Sequence, residues 1–240
     1  MVRWLTAIGL PASRAWELTR RWQEFEELER PLVVLIGGGA GVGKSTVATQ
    51  LAYSLGITRV SSTDFIRQVL RSVIPEAIAP ELSRSSFELD GELPSGPAGH
   101  HPEFERQARH VMVGVNATIG RAVSEGMPLI IEGIHLLPEL VDPDAVPDGL
   151  VVYVVLSVED GYDHWTRFAE RADDSDRPAE RYQANLARIR HLQDHVVATA
   201  SRNGIPVVAN RDVDATVHSI LDVIFAAIDG VLPPHKAPGA

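Results

Sequence analysis

The 240-residue chain contains no cysteine. That excludes disulfide bridges, thiolate metal sites and cysteine nucleophiles. Lysine is almost missing too: of 22 Lys and Arg together, only Lys44 and Lys236 are lysine. The arginine excess reads as a coding bias, yet it leaves Lys44 as the only lysine ahead of the C-terminal tail. No apolar run approaches the ~20 residues of a membrane span. The opening stretch, MVRWLTAIGLPASRAWE, carries an early charge and no clean apolar segment, which argues against a cleaved secretion signal. A cytoplasmic protein is the expectation. Positive charge is scarce overall, with a formal net charge of -10. A duplex-binding protein carries a broad basic face, so nucleic acid is an unsuitable partner. An anionic metabolite stays within reach of a protein that concentrates its positive charge locally. Repeats and low-complexity blocks are absent, and nothing in the sequence points to a particular oligomeric state.

What is present is the pattern of an α/β protein. Apolar residues make up 45% and charged residues 22%, ordinary for a globular chain. Short apolar runs read as strands at 32–37 (LVVLIG), 59–63, 128–138, 150–160 and 205–210. Helical periods fall between them, at 46–56, 64–73, 102–125, 161–202 and 214–228. Strands alternating with helices predict a mostly parallel sheet covered on both faces, a three-layer fold. Residues 1–30 read as two short helices forming an N-terminal extension. The main domain spans 31–230. Within it, 74–127 is an irregular insertion suited to an acceptor, and 161–202 is an arginine-rich helical lid. Residues 231–240 read as a disordered tail.

Residues 37–46 read GGGAGVGKST. Gly38, Gly43, Lys44 and Ser45 satisfy the phosphate-binding pattern G-x-x-x-x-G-K-[ST], between an apolar strand and a helix as that pattern requires. The stretch Gly38, Gly39, Ala40, Gly41, Val42, Gly43, Lys44, Ser45 and Thr46 is therefore the expected nucleotide cradle. Glycines let successive N–H groups turn inward on phosphate oxygens, and the helix start adds its positive dipole end. Lys44 reaches the terminal phosphates, and the Ser45 hydroxyl is a ligand for Mg²⁺.

Such loops serve switches, motors and metabolite kinases. The guanine motif N-K-x-D of a switch is not there: Asn210-Arg211-Asp212-Val213 has valine where aspartate is needed. The transporter signature LSGGQ is also missing. A small-molecule kinase needs a carboxylate near the cradle and an arginine-bearing lid, and both have candidates. Asp64 follows the second strand, where open parallel sheets bind ligands. It is placed to orient or deprotonate an acceptor hydroxyl, although the 62–64 stretch also suits helix capping. Arg67, one turn later, suits an anionic acceptor, with Arg71 on the same face. Glu132 ends an apolar strand and is a second candidate for Mg²⁺ and a candidate substrate contact, with a buried structural glutamate as the alternative. His135, just beyond it, is a candidate acceptor contact or a plain loop histidine. Arg167 and Arg171 share a helical face and are the expected lid catalysts, because transfer spreads charge onto equatorial oxygens. For Arg177, Arg181, Arg188 and Arg190 a solvated surface explains the charge equally well. His100 and His101, being adjacent, make a poor metal pair, while Ser85 and Ser86 are candidate acceptor contacts that loop polarity explains as well. ATP and Mg²⁺ are thus the expected cofactors, with a small anionic metabolite as the partner. A kinase of another sugar acid, polyol or nucleoside, or a nucleotide-binding regulator, stands as the alternative.

The stretch LIGGGAGVGKSTVATQLAYSLGITRVSSTDFIRQVLRS resembles the opening of the 2-phosphoglycerate kinases. So do SRSSF at 83–87, FERQARHVMVGVNATIGRAVSEG at 104–126, IIEGIHLLP at 130–138, and the His164, Arg167, Phe168 spacing. The likeness spans about residues 32–215, and the stretch 88–101 departs from it. The resemblance implies transfer of the ATP γ-phosphate to the C3 hydroxyl of 2-phosphoglycerate, giving 2,3-bisphosphoglycerate, with Asp64 orienting that hydroxyl. An acceptor bearing a carboxylate and a phosphate suits bidentate arginines.

Overall fold

The computed structural model describes residues 1–89, 101–142, 146–173 and 179–233. Its centre is a five-stranded sheet of β1 (Leu32–Gly38), β2 (Val60–Ser62), β3 (Leu129–Glu132), β4 (Leu150–Ser157) and β5 (Val207–Ala209). The spatial order is β2-β3-β1-β4-β5 and every pairing is parallel. β1 lies innermost and is buried along its whole length, which is why it reads as an unbroken apolar run.

The pleat divides the strand side chains between two cores. Leu32, Val34, Ile36, Ile130, Val152 and Val154 face one. The helices packed there are α1 (Val2–Ala7), α2 (Ala12–Glu26), α3 (Lys44–Leu55) and α9 (Val213–Val231). Val33, Leu35, Ile131, Tyr153 and Val155 face the other, against α4 (Thr63–Val73), α5 (Pro102–Ser124) and α8 (Leu186–Arg202). The result is the three-layer P-loop NTPase fold. The remaining helices, α6 (Gly161–Asp173) and α7 (Ala179–Ala184), lead from β4 into α8.

The expected insertion at 74–127 divides into two unlike parts. Its front is a pair of short 3-10 turns at Pro80–Ser83 and Ser86–Glu88. Its back is α5, a layer helix that buries Phe104, Ala108, Val111, Met112, Val115 and Ile119 against the sheet. The two N-terminal helices likewise put Leu5, Ala15, Leu18, Trp22 and Phe25 into the first core. Residues 90–100, which hold most of the departing stretch, lie outside the described residues, as do Arg177 and tail residues 234–240.

Candidate active site

β1 ends at Gly38 and α3 begins at Lys44, so the loop between them lies beyond the carboxyl edge of the sheet. Two of its glycines are required sterically. Gly41 has φ +78°, and a Cβ there would come 2.4 Å from the Phe168 ring. Gly43 has φ +86°, and its Cβ would stand 2.4 Å from Asn210 Nδ2. The Lys44 ammonium donates to the Gly39 carbonyl at 2.7 Å, which draws the side chain back over its own loop.

Side chains from three other elements fix the loop from outside. Asn210, buried just past β5, donates through Nδ2 to the Val42 carbonyl at 2.7 Å. Its Oδ1 accepts from Thr216 on α9 at 3.0 Å. His164 on α6 donates through Nε2 to the Ala40 carbonyl at 2.7 Å. That bond fixes the tautomer, and burial holds the ring below the usual histidine range against the effect of the bond. Arg167 bridges the carbonyls of Val42 and Asn210. Side chains of α6 and of the residue after β5 therefore hold the shape of the loop.

The acceptor side begins at β2. Ser62 Oγ accepts from the Phe65 N–H at 3.1 Å and caps α4. Capping thus falls to Ser62 and leaves the Asp64 carboxylate for other work. It sits 3.2 Å from Arg67 Nε and lines a cavity of about 160 Å³. Lys44, Ser45, Arg67, Glu132, Ser85 and Ser86 line the same cavity. Partial desolvation works to raise the Asp64 carboxyl, but His135, Arg67 and Lys44 outweigh it, and the group lies below the usual carboxylate range. Arg67 is buried, and its Nη1 donates to the Leu82 carbonyl at 2.7 Å, holding the first 3-10 turn against α4.

Ser45 Oγ donates to Glu132 Oε1 at 2.8 Å. A hydroxyl and a carboxylate beside the phosphate cradle are hard oxygen donors of the kind Mg²⁺ takes. Among the described residues no cluster of three or more His, Asp or Glu forms a metal cage.

His135 is corrected by the structure. It is fully buried and does not line the cavity. Its Nδ1 pairs with Thr63 Oγ1 at 2.8 Å and its Nε2 with Gln107 Oε1 at 3.0 Å. The Gln107 amide nitrogen donates to the Glu81 and Arg84 carbonyls, so Oε1 accepts and His135 is the Nε2–H tautomer. Burial lowers its pKa to about 3, the Arg67 and Lys44 charges adding to that against the pull of Asp64, so the ring is neutral at physiological pH. It is a strut between the start of α4 and the 81–84 turn, not an acceptor ligand. Thr46 and Arg71 are exposed and do not line the cavity. Arg171 lies on α6 one turn after Arg167, its side chain outside the described residues.

The roof comes from α6 and α7. His164 stacks on Phe168 at 5.3 Å between ring centres, Phe168 on Tyr182 at 5.1 Å, and Tyr182 meets Phe87 at 5.3 Å. In the sequence Asn210 stands out only as part of a failed guanine motif, and nothing there singles out Gln107 or Tyr182. The position of Asn210 beyond a strand end was the available signal.

The Zeta toxin family model matches residues 17–86. A 2-phosphoglycerate kinase of Pyrococcus horikoshii is 40% identical over 85% of this chain and 67% of its own length. The enzyme of the same name from Thermococcus kodakarensis is 40% identical over 83% of this chain and 68% of its own. The chain thus spans about two thirds of these relatives. Among solved structures, shikimate kinase from Acinetobacter baumannii superposes with a TM-score of 0.48 at 17% identity, covering 84% of this chain and 97% of that one.

Proposed function

Since the chain belongs to the 2-phosphoglycerate kinase family, a family of ATP-dependent phosphotransferases, we propose that it converts 2-phosphoglycerate and ATP to 2,3-bisphosphoglycerate and ADP. The bond formed joins the acceptor C3 oxygen to the γ-phosphorus. The bond broken joins that phosphorus to the β,γ-bridging oxygen, and the hydroxyl proton leaves by way of Asp64. The observation that carries this reading is the shared cavity: the Asp64 carboxylate and the Lys44 ammonium open onto one space of about 160 Å³.

Each residue has a separate task. The loop N–H groups and Lys44 hold the β- and γ-phosphates, and Lys44 leaves the Gly39 carbonyl to do so. Ser45 and Glu132 would hold Mg²⁺, which when bound neutralises charge on the phosphate oxygens. Asp64, kept ionised by its surroundings, orients the hydroxyl in line and accepts its proton. Arg67 meets an anionic group of the acceptor with Nη2, the nitrogen of its fork that makes no hydrogen bond among the described residues. Arg167, already at the loop, meets the charge that develops in transfer. The Phe87, Tyr182, Phe168 stack keeps water out of the cavity, so that the phosphoryl group goes to the acceptor and not to hydrolysis.

The test is ADP release with Mg-ATP and a panel of 2-phosphoglycerate, 3-phosphoglycerate and glycerate, with the product identified by phosphorus NMR. Turnover that requires 2-phosphoglycerate and yields a bisphosphate is the expected result. ADP release that no acceptor raises above background would sink the proposal.

A further inference from the structure

The cavity carries too little positive charge for the acceptor it is proposed to take. Lys44 and Arg67 face Asp64 and Glu132 across it, so its charged lining is neutral on balance. A phosphorylated hydroxy acid brings a carboxylate and a phosphate of about -1.5 to -2 at neutral pH. Lys44 is engaged by ATP in the proposed reaction. Arg67 has Nε on Asp64 at 3.2 Å and Nη1 on the Leu82 carbonyl at 2.7 Å. Further cationic donors have to come from the rim.

Arg181 on α7 stands there, next to Tyr182 of the cavity lining. Its fork is closed on a carboxylate of the chain itself. Nε donates to Glu88 Oε1 at 2.8 Å and Nη2 to Glu88 Oε2 at 2.5 Å. The same Nη2 donates to Ser85 Oγ at 2.9 Å, and Ser85 lines the cavity. The guanidinium lies 5.8 Å from the centre of the Phe87 ring. The Arg181 side chain is 47% exposed and that of Glu88 30%, so the pair is open to solvent.

We infer that Arg181 and Ser85 are the receptor for the acceptor's phosphate group, and that Glu88 holds this place as an internal anion until the acceptor displaces it. This assignment rests on the reaction proposed above. A carboxylate edge and a phosphate edge offer a guanidinium fork the same bidentate pairing. A dianion competes well against a monoanion for one cation, and a half-exposed ion pair is easily exchanged. Before and after exchange, one anion ties α7 to the 85–88 turn, so the aromatic roof keeps its place. A hydroxy acid without a phosphate has nothing to set against Glu88, and the site selects the phosphorylated acceptor on that ground.

Steady-state kinetics of Arg181→Gln and Glu88→Gln with 2-phosphoglycerate test this. Arg181→Gln is expected to raise the acceptor KM on the order of 10- to 100-fold, the worth of charge-assisted hydrogen bonds, with the ATP KM within about twofold. Glu88→Gln, which removes the competitor, is expected to lower the acceptor KM by roughly two- to fivefold. Inorganic phosphate, as a competitive inhibitor against the acceptor, should weaken in the first variant and strengthen in the second. A bridge that only pins α7 would shift both variants in the same direction. That result, or an unmoved Arg181→Gln in an active enzyme, overturns the assignment alone. A wild-type protein inert toward 2-phosphoglycerate overturns the reaction and the assignment together.

Discussion

At position 64 the environment sets two forces against each other. Desolvation favours the acid, while His135, Arg67 and Lys44 favour the carboxylate and prevail. With His135 neutral, the part that survives at physiological pH comes from Arg67 and Lys44. Asp64→Asn keeps the shape and removes the proposed proton acceptor, so kcat should fall about 10²- to 10⁴-fold with the ATP KM nearly unchanged. A variant of normal kcat in single-turnover measurements would remove Asp64 from the chemistry. His135 carries a second prediction, on stability. Its folded pKa of about 3 lies below its ordinary value of 6.5, so between those values the unfolded chain binds the extra proton. Its contribution is therefore intact above about pH 6.5 and is lost as the pH falls toward 3. Between pH ~7 and pH ~5.5 the wild type should lose about 1 kcal/mol more than His135→Gln in urea unfolding. Equal losses would show a ring that titrates normally. Residues at strand ends, Lys44, Asp64 and Glu132, are legible in sequence because the change from strand to helix marks where a ligand edge lies. His135 is not, since the partner that buries it, Gln107, is supplied by a distant helix.

Among the elements, α6 and the β5–α9 connection do the most to shape the nucleotide loop. His164, Phe168 and Arg167 meet it from α6, and Asn210 meets it from the end of β5. Asn210→Ala removes the shorter of the two bonds to the Val42 carbonyl and leaves it only the 3.5 Å contact from Arg167. The ATP KM should rise about 5- to 10-fold, the worth of roughly one hydrogen bond, with the acceptor KM much less affected. Nucleotide binding by calorimetry checks this, and an unchanged affinity would make Asn210 a matter of packing alone. The proposed lid rests in sequence on arginine spacing, whereas the contacts over the cavity are aromatic. Phe87 and Tyr182 lie far apart in the chain, and neither belongs to a periodic pattern that links them. β2 and β5 are three residues each, so their apolar runs overstate them, and only pairing with β3 and β4 fixes their ends.

At the scale of the molecule, the layered fold follows from the alternation of runs and periods, whereas the strand order does not. The chain leaves β1 for the far edge at β2 before β3 fills the gap between them, a choice made by the packing of α3 and α4 on opposite faces. The N-terminal helices read as an extension, yet they close the first core. Deleting residues 1–26 would strip Leu5, Leu18, Trp22 and Phe25 from it. At about 1.5–3 kcal/mol for each large apolar side chain, the loss rivals the whole stability of a domain. The truncated chain should lose its cooperative thermal transition by circular dichroism, and a sharp transition at the wild-type temperature would show the helices to be dispensable.

Lysine scarcity gives the bond between the Lys44 ammonium and the Gly39 carbonyl an unplanned use. Amine-reactive labels find only two ε-amino targets in this chain, and one of them is the proposed phosphate ligand. Peptide mapping after brief acylation then becomes a footprint of nucleotide occupancy, with Lys236 as the internal reference. Coupling the enzyme to a support through its amines would, by the same count, disarm many of the molecules it captures.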